Sequence, residues 1–513
     1  PRGGGMEEID VEMNVIRDFA RRVLLSEETF QEDGNTFVNM FSGEWSGTSK
    51  LNKYDLSSMY FNYAGSIYSQ NFPIIDIVMN TMLKQEESTQ GRHFFRMFNG
   101  MGDDQRAAAY LNGKSFEQAV LDNTLSTEVF YEMMKLKGVY LRNYINSRLS
   151  SNEFKEFMAE FMKKYQFQEV NFTRLNSEFI RKFHFNLMDF IPNWYTINST
   201  PRFIVKGVDA DQVEIGDYTK YIVKFQVYNP TNVEGVISVN VEEGGGMFPG
   251  GPRGRRGRAA QMESKPAKNY IIEPRKYKEI RILCDERPSN LTINTNISQN
   301  LPSTIMQNFA KVTTTTTDTV TGIFDSNAAL FTFNPKEITV DNEDPGFRII
   351  ESNQKNKLQS FFKKESEDKY KNLNFWMPPS KWTATIGVNY YGDYINSAVY
   401  KKSGSGSNKT EWTTQIQIPG FYEVFVYTSE LPMMGWRRRG SEEKKMQYYT
   451  VKHDDGEEEI SVETGRGRQG WMTLGSFYFS AGEAKITLSD KGSESNQIIF
   501  ADAVKWVYTN NNK

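Results

Sequence analysis

Two hydrophobic periods divide the chain near residue 200. Between residue 6 and about residue 195, apolar side chains recur every three or four positions, the spacing of one helix face. Over 130–149 the stripe is Phe130, Met133, Met134, the stem of Lys137, Leu141 and Tyr144. A second helix follows, capped by Ser151 or Asn152, with Phe154, Phe157, Met158, Phe161 and Tyr165 on one side. A third is expected to start near Thr173 and to be stopped by Pro192. From about Thr200 the period becomes two: "YTKYIVKFQVYN", "EGVISVNVEE", "NYIIEPRKYKEIRILCDE" and "SNLTINTNIS" alternate apolar and polar residues between turn signals.

The pattern predicts a multidomain α + all-β chain. An N-terminal α-helical domain would occupy 1–199 and a central Ig-like β-sandwich 200–300. The Thr-rich stretch 301–335 reads as a linker. A C-terminal jelly-roll-like β-sandwich would fill 336–513. The segment "GGGMFPGGPRGRRGRAAQ", within 244–266, falls between two strands and reads as a disordered surface loop.

That segment looks like a nucleic-acid-binding motif, but composition argues against one. Lys+Arg 61 against Asp+Glu 64 leaves a net charge of −3, and one short cluster with the single ring of Phe248 lacks the repeated aromatic and basic pattern. The lone cysteine, Cys284, cannot form an internal disulfide and reads as a small buried hydrophobe. No apolar run approaches the roughly 18 residues that cross a bilayer. A Gly-rich start without Met or signal peptide predicts an internal piece of a longer polypeptide.

Hydrolytic chemistry has little to build on. Four residues beyond His93, His184 and His453 stand Met97, Met188 and Glu457, so no helix presents two imidazoles to one zinc ion. His93 and His184 are expected on packed helix faces. A G-x-S-x-G, a P-loop and a dinucleotide fingerprint are all missing, and no catalytic residue is assigned. In "VDNEDPGF" the favoured reading is an Asx-rich loop; the alternative is an oxygen-ligand calcium site on Asp341, Asn342 and Asp344. "KHDDGEEEI" reads as a hairpin tip. Tyr391, Asp393 and Tyr394, around Gly392, offer rings and an acid for stacking on and hydrogen-bonding a sugar. Trp382, Trp412, Trp471 and Trp506 are expected in the core.

Residues 336–509 resemble the golvesin C-terminal-like, or xanthan-lyase carbohydrate-binding-like, domain. The blocks "EITVDNEDPGF", "WTATIGVNYYGDYINSA", "TEWTTQIQIPGFYEVFVYTS", "GWMTLGSFYFSAGEAKITLSD" and "IIFADAVKWVY" carry the likeness. It implies a jelly-roll-like sandwich on a bacterial extracellular protein, with polysaccharide or a peptidoglycan-type glycan as partner. Residues from about 60 to 300 resemble the region after the active site of M1-type zinc aminopeptidases of Bacteroidota, through "LSTEVFYEMMKLKGVYLRNYI" and the helix that follows. There Lys135 takes the place of the family's tyrosine, and the His-Glu-x-x-His motif is missing, so zinc is expected only with an upstream catalytic region. The resemblances imply a non-catalytic part of an envelope or secreted metallopeptidase. A cell-surface adhesion protein and an accessory region of a polysaccharide-degrading enzyme remain as alternatives.

Overall fold

The structure, a computed structural model, describes residues 67–69, 71, 72, 75, 103–165, 170–244, 267–309, 312, 314–351, 369–374, 376–429, 445–465 and 468–509. The chain divides into two compact units: Pro1–Thr89 with Lys114–Asn198, and Gln90–Gly113 with Ser199–Lys513. His93 and residues 245–266 of the Gly-rich connector lie outside the described residues.

The helices are α1 (Asp103–Leu111), α2 (Phe116–Leu121), α3 (Thr127–Asn146), α4 (Ser151–Lys164), α5 (Phe172–Phe183) and α6 (Ile191–Thr196). All but α1 belong to the first unit, where β1 (Ile67–Tyr68) pairs in parallel with β2 (Val170–Asn171). Ser150 caps α4, one residue before the expected position, in a reciprocal capping box with Glu153. α5 ends at His184, which adopts the left-handed conformation (φ 53°) as its C-cap and is exposed, so it is not on a packed helix face. Pro192 stands in the first turn of α6 and starts a helix, because a missing N–H is harmless there.

The stripe read on α3 is buried except for Phe130, which is half-buried. Met133, Leu141 and Tyr144 are covered, and Tyr144 stacks on Phe190 at 3.6 Å between ring centres. Lys137 is buried with them: its Nζ donates to the Trp194 carbonyl (2.5 Å), and Trp194 Nε1 donates back to the Lys137 carbonyl (3.3 Å). Burial lowers its pKa to about 7. The unfolded chain therefore holds a proton that the folded chain has released between pH 7 and the ordinary lysine range. Stability of this unit should rise with pH across that window. Hydrogen exchange of the α3 amides will show it as protection that increases from pH 7 upward beyond the intrinsic rate, and Lys137→Met should remove the dependence.

In the second unit the central strands are β3 (Ile204–Ile215), β4 (Tyr218–Tyr228), β5 (Gly235–Glu243), β6 (Lys268–Ile272), β7 (Tyr277–Cys284), β8 (Pro288–Asn294), β9 (Thr304–Asn308), β10 (Thr314–Thr316) and β11 (Gly322–Asp325). They form two sheets, ordered β10-β3-β4-β7-β11 and β6-β5-β8-β9, around one core of Phe203, Val223, Phe225, Ile237, Ile280 and Ile293. Cys284 is buried in it. The stretch 301–335 is thus not a linker: β9, β10 and β11 sit at the edges of both sheets. Part of the Thr run pairs in parallel with Asp211–Val213, since β-branched residues suit an extended backbone.

The C-terminal strands are β12 (Glu337–Val340), β13 (Phe347–Ile350), β14 (Thr383–Ile386), β15 (Ser397–Lys402), β16 (Lys409–Ile416), β17 (Gly420–Thr428), β18 (Lys445–His453), β19 (Gly456–Thr464), β20 (Gly470–Phe479), β21 (Gly482–Gly492), β22 (Ile498–Ala501) and β23 (Val504–Thr509). Sheets β12-β23-β17-β20 and β13-β16-β21-β18-β19 share a core built on Trp412, Tyr422, Tyr449 and Trp506. A third sheet, β14-β15-β22, packs Tyr390, Tyr400 and Phe500 together. Asp454 and Asp455 form the tip of the β18–β19 hairpin. Trp382, Trp412 and Trp506 are core residues, whereas Trp471 is only half-buried.

A buried ion pair ties the second sheet to the third. Lys401 of β15 meets Asp490 of β21, both side chains being almost fully enclosed. Asp490 also accepts from Asn408 Nδ2 (2.9 Å) and the Gly406 N–H (2.7 Å). Asp490→Ala should leave a buried ammonium without a counter-charge and cost about 3–5 kcal/mol in urea unfolding of the full chain. Lys401→Met combined with Asp490→Leu should recover most of that loss.

Candidate functional site

Strict alternation along β17 places Tyr422, Val424 and Val426 in the core and leaves Phe421, Glu423, Phe425 and Tyr427 on the opposite face. Their cross-strand partners on β20 are Tyr478, Ser476, Thr473 and Trp471. On the other side β23 brings Lys505 beside Phe425, and Val507 beside Glu423. The face therefore carries rows of aromatic rings separated by a polar row. At one end Phe421 and Tyr478 meet edge to face (5.4 Å), exposed by 43% and 36%. At the other, Tyr427 and Trp471 meet edge to face (5.3 Å). Between them lie Phe425, Thr473, Glu423 and Ser476, and Lys505 Nζ sits 4.7 Å from the Trp471 ring centre and 5.6 Å from that of Phe425.

The structure gives the three tyrosine-turn candidates different surroundings. Tyr391 closes the Trp471 end of this face, 5.1 Å from that ring and 5.7 Å from Tyr427. Burial pushes its phenol far above the ordinary tyrosine range, so it stays a neutral hydroxyl. Asp393 pairs instead with Lys206 of β3 at 3.5 Å, and Tyr394 lies under the Arg202 guanidinium at 4.0 Å. Beside them, Leu301 donates to the Tyr394 carbonyl (2.9 Å) and accepts from the Asn396 N–H (2.7 Å). Asp393 and Tyr394 thus face the central sheets. Gly392 makes the tight turn possible: its φ is 157°, and a Cβ would fall 1.9 Å from the Ile395 carbonyl oxygen. The sequence signal for Phe421, Phe425 and Tyr427 is the "FYEVFVY" alternation, which names an outward set as clearly as an inward one, and for Tyr478 the shorter "SFYF" alternation.

The acidic loop after β12 lies near Tyr391. The Asp341 N–H donates to Asp344 Oδ2 (2.8 Å), and Asp341 Oδ1 accepts from the Asn342 N–H (2.8 Å). The Asn342 amide meets the Ser397 hydroxyl at 2.7 Å. Glu343 accepts from Tyr370 (3.1 Å) and Ser397 (2.8 Å). The loop is an Asx-rich turn closed by its own backbone and tied outward to Ser397 and Tyr370. Asp502 adds a further acid, buried, with Oδ2 accepting from the Tyr391 N–H (3.1 Å) and Ser429 Oγ (3.4 Å); Oδ1 has no hydrogen-bond partner among the described residues. Burial first, then the neighbouring carboxylates of Asp344, Glu343 and Asp393, pushes Asp341 up to about 8. Burial and the Asp341 charge hold Asp502 well above the carboxylate range, and Asp344 is raised for similar reasons. Among the described residues, no three acidic, histidine or cysteine side chains stand together as a set for a metal ion.

One family model falls on the region of these strands and rings. Residues 372–508 match the Golvesin C-terminal domain. Among solved structures, a xanthan lyase from Paenibacillus is 14% identical over 60% of this chain and 26% of its own, with a TM-score of 0.24. An exo-β-1,3-galactanase from Phanerochaete chrysosporium, solved with β-1,3-galactotriose, is 15% identical over 26% of this chain and 27% of its own, with a TM-score of 0.17. A two-domain protein of unknown function from Bacteroides fragilis is 10% identical over 60% of this chain and 94% of its own, with a TM-score of 0.15. The chain spans about a quarter of the length of the first two. No curated protein matches it. None of these findings supports the zinc-aminopeptidase resemblance of residues 60–300.

The raised carboxyl pKa values fix the sign of a pH effect. The folded chain keeps protons that the unfolded chain loses above the ordinary aspartate range, so stability is full below that range and falls as pH rises toward 8. Asp341→Asn should match its parent near pH 4 and exceed it in melting temperature by a margin that grows up to pH 8. The same melts with added calcium distinguish a proton from a cation as the neutralising species: a calcium-dependent rise at pH 8 that Asp341→Asn abolishes would assign the loop to the cation.

Proposed function

We propose that the golvesin-like domain binds polysaccharide along the outer face of β17, β20 and β23, as an accessory module of an extracellular bacterial protein. The observation that carries this reading is the alternation of ring rows with a polar row on one solvent-facing sheet. A pyranose has an apolar C–H face that stacks on an aromatic ring and a rim of hydroxyls that need acceptors and donors. Phe421 and Tyr478, then Phe425, then Tyr427 and Trp471 supply the rings. Glu423, Thr473 and Ser476 supply the acceptors and hydroxyls between them. Tyr391 belongs to the proposed site through its contact with Trp471, while Asp393 and Tyr394 anchor the turn that carries it through Lys206 and Arg202.

The test is affinity electrophoresis of the full chain through gels containing single polysaccharides. Phe421→Ala and Tyr478→Ala should each weaken binding about tenfold, roughly 1.4 kcal/mol. Both rings are exposed, so the melting temperature should hold. Binding unchanged in both variants would remove the face from consideration.

A further inference from the structure

Resting on the proposed binding face, the charges and length of that face carry the reading one step further. Its one described cation, Lys505, is already engaged: Nζ is 3.3 Å from Glu337 Oε1 and packed against the Trp471 and Phe425 rings. Glu423 stands in the polar row, where its carboxylate accepts from Thr473 Oγ1 (3.4 Å). Beyond Tyr478, Asp454 donates its backbone N–H to the Tyr478 carbonyl (3.2 Å), and hydrogen bonds from Ser480 hold its carboxyl below the usual range. Among the described residues the face thus sets Glu423 and Glu337 against one ammonium already paired with Glu337, and Asp454 adds a carboxylate beyond its Tyr478 end. A uronate or sulfated glycan laid across it would meet like charge with no available partner, and like charge at contact range is costly. Uncharged sugars gain instead, because a carboxylate accepts hydrogen bonds from hydroxyls strongly.

Length sets the second constraint. Phe421 and Tyr427 lie six residues apart on one strand, about 20 Å at the usual rise of about 3.4 Å per residue. One sugar covers one ring, so engaging both ring pairs takes a run of several units. We propose that the ligand is an uncharged polysaccharide, bound by an internal segment of several sugars running along β17 and β20.

The full chain is titrated calorimetrically with cello-, manno- and β-1,3-galacto-oligosaccharides of two to six units, and run in gels containing the parent polymers, polygalacturonate or alginate, at low and molar salt. At least one neutral series should bind, with the hexamer at least tenfold tighter than the dimer and with little salt dependence. Phe421→Ala and Trp471→Ala, at opposite ends, should each flatten that length dependence. Glu423→Lys with Glu337→Gln, shown to be folded by its melting curve, should acquire retention on polygalacturonate. Salt-sensitive binding of the anionic polymers alone, still lost in Phe421→Ala, would overturn the uncharged class and leave the face as the site. A dimer that binds as tightly as the hexamer would overturn the extended mode. Retention of no polymer, or binding indifferent to both ring variants, would overturn the site itself.

Discussion

Between Val424 and Phe425 the pairing of β17 with β20 slips by one residue, so that Gly475 faces Val424 while Thr473 faces Phe425. Leu474 is the extra residue of this bulge, and it is buried. The slip decides what the outer face contains. Trp471 and Tyr478 are seven positions apart, an odd number, and on an unbroken strand they would point to opposite faces. The bulge restores the phase: Phe477 and Phe479 enter the core, Met472 packs against it from the other end, and Trp471 and Tyr478 share the outside. Gly475 has φ 135°, a conformation that side chains rarely adopt, and a Cβ there would lie 3.1 Å from the Phe477 ring. The aromatic face depends on this one backbone irregularity.

The same irregularity shows where sequence reading succeeds and where it stops. Periods of 3.6 and 2 recovered α3, α4 and most strands, because burial on one face imposes those periods directly. Trp412 and Trp506 are in the core as expected, but Trp471 is not, since period-2 counting carries no warning of an inserted residue. The Thr-rich stretch looked like a linker because Thr is polar and repetitive; yet edge strands need only an extended backbone and a partner, and β3 supplies one. Pro192 in sequence suggests a terminator, but the structure uses its other property, a φ already set for a first helical turn. Asp341, Asn342 and Asp344 were legible as a turn. That Asp502, some 160 positions away in sequence, approaches the same acids is a product of tertiary folding and leaves no local signal.

The tyrosine turn is the clearest case of a local motif given its role by distant groups. "NYYGDY" presents three phenols and an acid within six residues. Tyr390 goes into the small core of the third sheet, Tyr391 joins Trp471 and Tyr427, and Tyr394 lies under Arg202. Arg202 is held in turn by Gln299 Oε1, at 3.1 Å from Nε and 2.8 Å from Nη2. Asn300 bonds both backbone groups of Phe203 (2.9 and 2.7 Å), standing in for a neighbouring strand. The turn is thereby tied through Arg202 to the central sheets.

Asp502 joins these features. Its backbone carbonyl takes the Trp412 indole N–H (2.9 Å) from the middle of the core, and its side-chain Oδ2 takes the Tyr391 N–H at the edge of the aromatic face. One residue therefore connects core packing to the position of the ring that closes the Trp471 end. Burial favours the neutral acid there, and an uncharged carboxyl avoids the desolvation that a charge would suffer at that depth. Asp341 adds to this: once it ionises, its charge disfavours a second negative charge on Asp502. The core and the acidic loop thus act on Tyr391 through the same carboxyl group, and the end of the face that the bulge exposes is held in place by a group whose charge is disfavoured by its burial in the core.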